Sequence, residues 1–143
     1  MNENVEIKIY LSSKHWEDRY PGARVYINNT LIYENLVSEP IEVNWSGELD
    51  DSDHTISVEM YNKKDGDTVT DDDENIINDV LLNIDDIEID EISLDNLLWS
   101  NSVYTPNDLD SLESVTDCVN LGWNGVWKLK FSVPTYLWFL ENL

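Results

Sequence analysis

Basic residues are scarce in this chain: eight Lys and Arg stand against thirty Asp and Glu, giving a formal charge of −22 on 143 residues. A field of that sign repels the phosphate backbone of nucleic acids and anionic bilayer surfaces, so neither nucleic acid nor membrane is expected as a partner. Cysteine is nearly absent. Cys118 stands alone, cannot close an internal disulfide and implies no oxidising compartment. The two histidines, His15 and His54, lie too far apart, with too few cysteines, for zinc-ligand spacing. No run approaches the 18 or so apolar residues of a membrane-spanning helix. The opening MNENVEIKIY lacks the basic stretch and apolar run of a signal peptide. G-x-S-x-G, a P-loop and a dinucleotide fingerprint are all missing. Thirty carboxylates make any one acidic pair uninformative, and the chain is short for a glycosidase, so no enzymatic activity is expected.

What the chain does have is bulk for a core: 41% hydrophobic residues, with six Trp and seven Tyr. That content argues against disorder, and the length fits one domain over residues 1–143. Alternation of period two dominates. Val5, Ile7, Ile9 and Leu11 share one face, as do Ile41, Val43 and Trp45, then Ile56, Val58 and Met60, then Trp127, Leu129 and Phe131. Asn28-Asn29 between two apolar runs reads as a hairpin turn. The parity of Val80, Leu82 and Ile84 breaks at Asp85-Asp86 before Ile87 and Ile89, and a bulge there would return both sets to one side. Leu97-Leu98-Trp99 with Val103-Tyr104 is expected to form one more short strand. Helix is expected only in short pieces between residues 105 and 118, where Asp110–Asp117 is a helical turn or a loop, or after Pro134. Seven or eight strands with turn signals between them predict an all-β antiparallel sandwich or barrel.

Three groups of residues are candidates for function. The first is the long acidic loop from Asn62 to Asn75, continuing to Asp79. Calcium takes six to eight hard oxygens, and Asp65, Asp67, Asp71, Asp73, Glu74 and Asp79 are the candidate ligands, against the alternative of a solvated acidic loop. The second is the set of aromatics in polar loops, Trp16, Tyr20 and Trp123, which can stack on the apolar face of a sugar; Trp45, Trp99, Trp127 and Trp138 are assigned to the core. The third is the tail over residues 134–143, where Tyr136-Leu137-Trp138-Phe139-Leu140 places five large apolar residues in a row. Chain ends are normally polar unless docked, so Tyr136, Trp138 and Phe139 are candidates for contact with another subunit, with folding back over the sandwich end as the alternative.

The stretch His54-Thr55-Ile56-Ser57-Val58-Glu59-Met60-Tyr61-Asn62-Lys63, the acidic loop, and Val80-Leu81-Leu82-Asn83-Ile84-Asp85-Asp86-Ile87-Glu88-Ile89-Asp90-Glu91-Ile92 together resemble calcium-dependent carbohydrate-binding modules of the xylan-binding type. The hairpin Val25-Tyr26-Ile27-Asn28-Asn29-Thr30-Leu31 is similar to an upstream hairpin of that family. The resemblance covers roughly residues 5–92 and implies a jelly-roll-like β-sandwich with calcium and sugar held by loops. The remainder departs from it, because those modules usually end soon after the Ile-Asp-x-Ile strand. The ending from Gly122-Trp123-Asn124-Gly125 through Pro134 to Leu137-Trp138-Phe139-Leu140-Glu141-Asn142-Leu143 looks like small virion-associated proteins of tailed phages, marine ones in particular. That likeness implies a structural or accessory virion component made in the host cytoplasm, partnered by other virion proteins or its own copies. The alternative it leaves open is a calcium-dependent module for a host-surface glycan.

Overall fold

The computed structural model describes residues 2–107, 114–116 and 118–142. Among these, the elements in chain order are β1 (Glu3–Lys14), β2 (Gly22–Ile27), β3 (Thr30–Leu36), β4 (Ile41–Leu49), β5 (Asp53–Tyr61), β6 (Val69–Thr70), β7 (Ile76–Asn78), β8 (Leu81–Ile89), β9 (Ile92–Ser93), α1 (Leu97–Ser100), β10 (Ser102–Pro106), β11 (Val115–Thr116), β12 (Asn120–Leu121), β13 (Gly125–Ser132) and α2 (Thr135–Glu141). One sheet runs β12-β8-β1-β4, with β9 also paired to β8; the other runs β11-β10-β13-β5-β2-β3. β6 and β7 form a separate ribbon. Every neighbouring pair is antiparallel. The all-β sandwich with short helices near the C-terminus is therefore the observed architecture.

The core is the meeting of the predicted faces. Val5, Ile7, Ile9 and Leu11 of β1 are fully buried, as are Ile56, Val58 and Met60 of β5 and Trp127 and Leu129 of β13. Each such side chain withdrawn from water contributes roughly 1.5–3 kcal/mol before the ordering cost is subtracted. The bulge in β8 is where the broken parity required it. Tyr10 pairs with Asp86 and Leu11 with Ile84, so Asp85 is the extra residue. It keeps Leu82, Ile84, Ile87 and Ile89 all on the buried side. Asn28 sits at the β2–β3 turn with φ 55°, the left-handed conformation that asparagine tolerates.

Two expectations are corrected. Leu97-Leu98-Trp99 is not a strand but the helical turn α1, and only 102–106 is extended. Leu97 and Leu98 are adjacent and both buried. Successive residues of a strand face opposite sides, so only a helical turn inters both. The Ser102 hydroxyl donates to the Leu98 carbonyl at 2.5 Å and fixes the change of direction. Trp99 is thereby turned outward, 45% exposed, and is not a core residue. The turn between β4 and β5 is short, because β4 continues to Leu49 and β5 opens at Asp53. Most of the stretch Asp110–Asp117 lies outside the described residues; within it, Val115–Thr116 is strand.

Pairing partners define the two ends of the sandwich. Lys14 faces Leu81, Gly22 faces Tyr61, Leu121 faces Leu82 and Gly125 faces Met60. The loops 15–21, 62–80 and 122–124 therefore emerge at one end. The opposite end carries α2, whose first residue, Thr135, has its hydroxyl 2.9 Å from both Glu3 Oε2 and Asp90 Oδ2.

Candidate functional site

The loop end gathers candidates from three separate stretches of sequence. Buried charge organises it. Asp79 Oδ1 accepts three hydrogen bonds, from Lys63 Nζ at 2.8 Å, the Thr68 hydroxyl at 2.6 Å and the Val80 amide at 2.8 Å. Lys63 Nζ also donates to the Gly122 carbonyl at 2.6 Å. Burial pulls the Asp79 carboxyl upward, but these donors together outweigh it and hold the group below its ordinary value. Beside this pair, Asp67 accepts from Arg19 at 2.7 Å through Oδ1 and from the Lys64 amide at 2.8 Å through Oδ2.

Side chains that imitate backbone complete the frame. Asn124 accepts from the Lys63 amide at 2.9 Å and donates to the Lys63 carbonyl at 2.8 Å, a two-point pairing of the kind a neighbouring strand makes. The Asn62 amide donates to the Tyr20 carbonyl at 3.0 Å, and the Tyr104 hydroxyl donates to the Trp123 carbonyl. Desolvation pushes the Tyr104 hydroxyl up to about 12.

All three loop aromatics lie at this end. Trp16 donates its indole N–H to the Asp67 carbonyl at 2.7 Å, with the Arg19 guanidinium 4.4 Å from its ring centre. Tyr20 meets the edge of His15, ring centres 4.7 Å apart. The Trp123 ring lies 5.9 Å from Lys63 Nζ. Between the first and second loops is a cleft of about 320 Å³ lined by Glu17, Asp18, Arg19, Asn62, Lys64 and Asp67. Its lining offers three carboxylates, two cations and one amide, so a ligand there would meet donors and acceptors side by side.

The six candidate calcium ligands separate into different settings. Asp67 and Asp79 are buried in the frame just described. Asp71 is exposed and folds back on its own loop, accepting from the Asp73 and Asn75 amides at 2.9 Å each. Those amides, led by Asn75, hold its carboxyl below the ordinary range. Asp65, Asp73 and Glu74 are exposed. Among the described residues, no three His, Cys, Asp or Glu side chains gather as a metal-binding group.

At the far end, the tail candidates also divide. Trp138 enters the chain's own core, its ring 6.2 Å from Phe131 and 5.1 Å from Phe139, which is half-buried. Tyr136, with Leu137 and Leu140, faces outward.

No protein-family model and no curated protein matches the sequence. Solved structures do. The chain superposes on vCBM60 in complex with galactobiose with a TM-score of 0.53 at 12% identity, covering 89% of this chain and 97% of that one. The fold is shared with carbohydrate-binding modules. A second match is the selenomethionine form of vCBM60, from work linking two families of calcium-dependent carbohydrate-binding modules by circular permutation. It gives a TM-score of 0.54 at 11% identity, over 87% of this chain and 89% of that one. The virion likeness of the C-terminal stretch has no counterpart in these two matches.

Sequence reasoning missed Lys63, Arg19 and Asn124, which hold the site together. The signal available was scarcity: in a chain with eight basic residues, four of them, Lys14, Arg19, Lys63 and Lys64, flank or occupy two loops of one end.

Proposed function

We propose that the protein is a non-catalytic carbohydrate-binding module that takes a neutral saccharide at the loop end of the sandwich. The observation that carries this reading is the convergence of Tyr20, Trp123 and the mixed donor–acceptor cleft at one end of a fold shared with carbohydrate-binding modules. Sugar hydroxyls both donate and accept, so they fit a lining that alternates carboxylate, guanidinium and amide. Aromatic faces at the same end of the sandwich supply apolar area for the C–H face of the ring. A net charge of −22 works against uronic-acid and sulfated polymers at ordinary salt and favours neutral ones. The Trp16 indole is already engaged by the Asp67 carbonyl and the Arg19 guanidinium, so the proposed platform is Tyr20 and Trp123.

Affinity electrophoresis through gels containing neutral galactans, xylans or glucans tests the reading. Retardation is expected in at least one gel, and it should weaken in Tyr20→Ala, Trp123→Ala and Asn62→Ala. Migration unchanged in every gel would refute it.

A second reading is attachment to another copy or to a virion partner through α2. It is supported by the stripe Tyr136, Leu137 and Leu140, with Tyr136 62% and Leu140 65% exposed. Its test is size in solution: light scattering that gives a monomer at every accessible concentration removes self-association, and only a second protein would then remain as partner.

A further inference from the structure

We propose that the loop end of this sandwich is organised by the chain's own cations, Lys63 and Arg19, in place of a divalent metal ion. The matched fold occurs in calcium-dependent modules, so a metal is the natural expectation for an acidic loop here. The residues present do not fit one. The two buried carboxylates of the loop, Asp67 and Asp79, already meet two buried or half-buried cations, and the charges balance, −2 against +2, without a metal. Lys63 Nζ lies between a carboxylate oxygen, Asp79 Oδ1 at 2.8 Å, and a carbonyl oxygen, Gly122 O at 2.6 Å. Carboxylates and backbone carbonyls are the hard-oxygen ligands that calcium uses; here an ammonium group takes that pair and bridges the second loop to the third. Arg19 does the same between the first loop and the second, through Asp67 Oδ1 at 2.7 Å.

Neighbouring donors engage these carboxylates further. Asp79 Oδ1 has three donors and Asp67 has one on each oxygen. Asp71 closes its own turn. A calcium ion needs six to eight oxygens, and recruiting Asp67 and Asp79 would strand two cations beside a doubly charged ion. Internal cations therefore do the cross-linking: they tie loop to loop, and the cleft between loops 15–21 and 62–80 is preformed without added metal. This inference concerns how the site is built and stands or falls apart from the glycan reading.

Thermal melts of the full chain, in chelator and in millimolar calcium at matched ionic strength, test it. The two curves are expected to superimpose. Lys63→Met leaves Asp79 buried and unpaired, and should lower the midpoint by roughly 6–20 °C, the range for breaking a buried ion pair in a domain this size. Arg19→Gln, at a more exposed pair, should lower it less. A midpoint several degrees higher in calcium than in chelator would overturn the proposal, and so would a Lys63→Met protein that melts with the wild type. Should Lys63→Met fail to fold, the calcium comparison on the wild type and on Arg19→Gln decides alone. Failure of every gel to retard the protein would leave this result untouched.

Discussion

Replacing Trp138 with alanine should cost far more than replacing its neighbour on the other face of the same helix. α2 is seven residues long and too short to hold itself together in water, so its docking rests on the side chains it buries. Trp138 is 6% exposed and packs edge-on against Phe131 and Phe139. Truncating a buried Trp to Ala costs about 3–5 kcal/mol, the transfer of the indole plus the cavity left behind. Against a total of about 5–15 kcal/mol that is a large fraction, equivalent to a drop of roughly 6–20 °C in the midpoint for a domain of this size. Leu140 is 65% exposed, so about a third of its area is buried, and Leu140→Ala should cost only about 0.5–1 kcal/mol. Urea unfolding followed by tryptophan fluorescence, with the slope held common to the variants, measures both. Equal costs at the two positions, or an unmoved midpoint for Trp138→Ala, would refute the docking of the tail into the chain's own core. A wild-type midpoint that rises with protein concentration, with that dependence lost in Leu140→Ala, would instead reveal that its outer face is covered by another copy.

Two further outcomes follow from close geometry and from charge. Gly125→Ala should destabilise strongly, because a Cβ there would meet the Thr105 carbonyl and lie 2.7 Å from Pro106 Cα in the paired strand; Gly122→Ala, whose nearest neighbour is Leu81 Cδ2 at 3.8 Å, should sit close to wild type, and comparable melting temperatures for the two would contradict the packing of β10 on β13. The Asp79 carboxyl is held below its unfolded value, so its contribution is complete above about pH 4 and is lost as the pH falls through the lower folded value. Urea midpoints measured from pH 6 downward should therefore fall more steeply below about pH 4 in the wild type than in Asp79→Asn, and parallel curves would dismiss the role of that ion pair.

The strands were legible because each buried face is a simple alternation, and even the irregularity at Asp85 announced itself as a broken parity. α1 was not legible: Leu-Leu-Trp reads equally as strand or helix over three residues, and the choice was made by the need to bury Leu97 and Leu98 together. The loop end was half legible. Trp16, Tyr20 and Trp123 stood out as aromatics among polar residues, and the structure brings them to one end. The acidic loop read as one set of ligands, yet its members do different jobs. Asp67 pairs with Arg19 of another loop, 48 positions away, and Asp79 with Lys63 at the opposite end of its own loop, 16 positions away, whereas Asp71 serves its own turn. Pairings at such separations depend on strand order, which periodicity does not encode. The tail read as uniformly apolar, and only the helix α2 separates Trp138 from Tyr136 and Leu140.

The small ribbon of β6 and β7 is attached differently from the rest of its loop. Residues 62–68 are anchored by Asn124, Arg19, Trp16 and Asp79, but the turn from Asp71 to Asn75 bonds mainly to itself, and Ile76 and Ile77 after it lie exposed at 57% and 58%. Such a turn is a modular position: its length and sequence can be exchanged while the anchors on either side keep the sandwich and the cleft in place. Lineages sharing this scaffold would diversify first at that hairpin tip, and an engineered recognition loop would be grafted between Thr70 and Asn78 at little cost to folding.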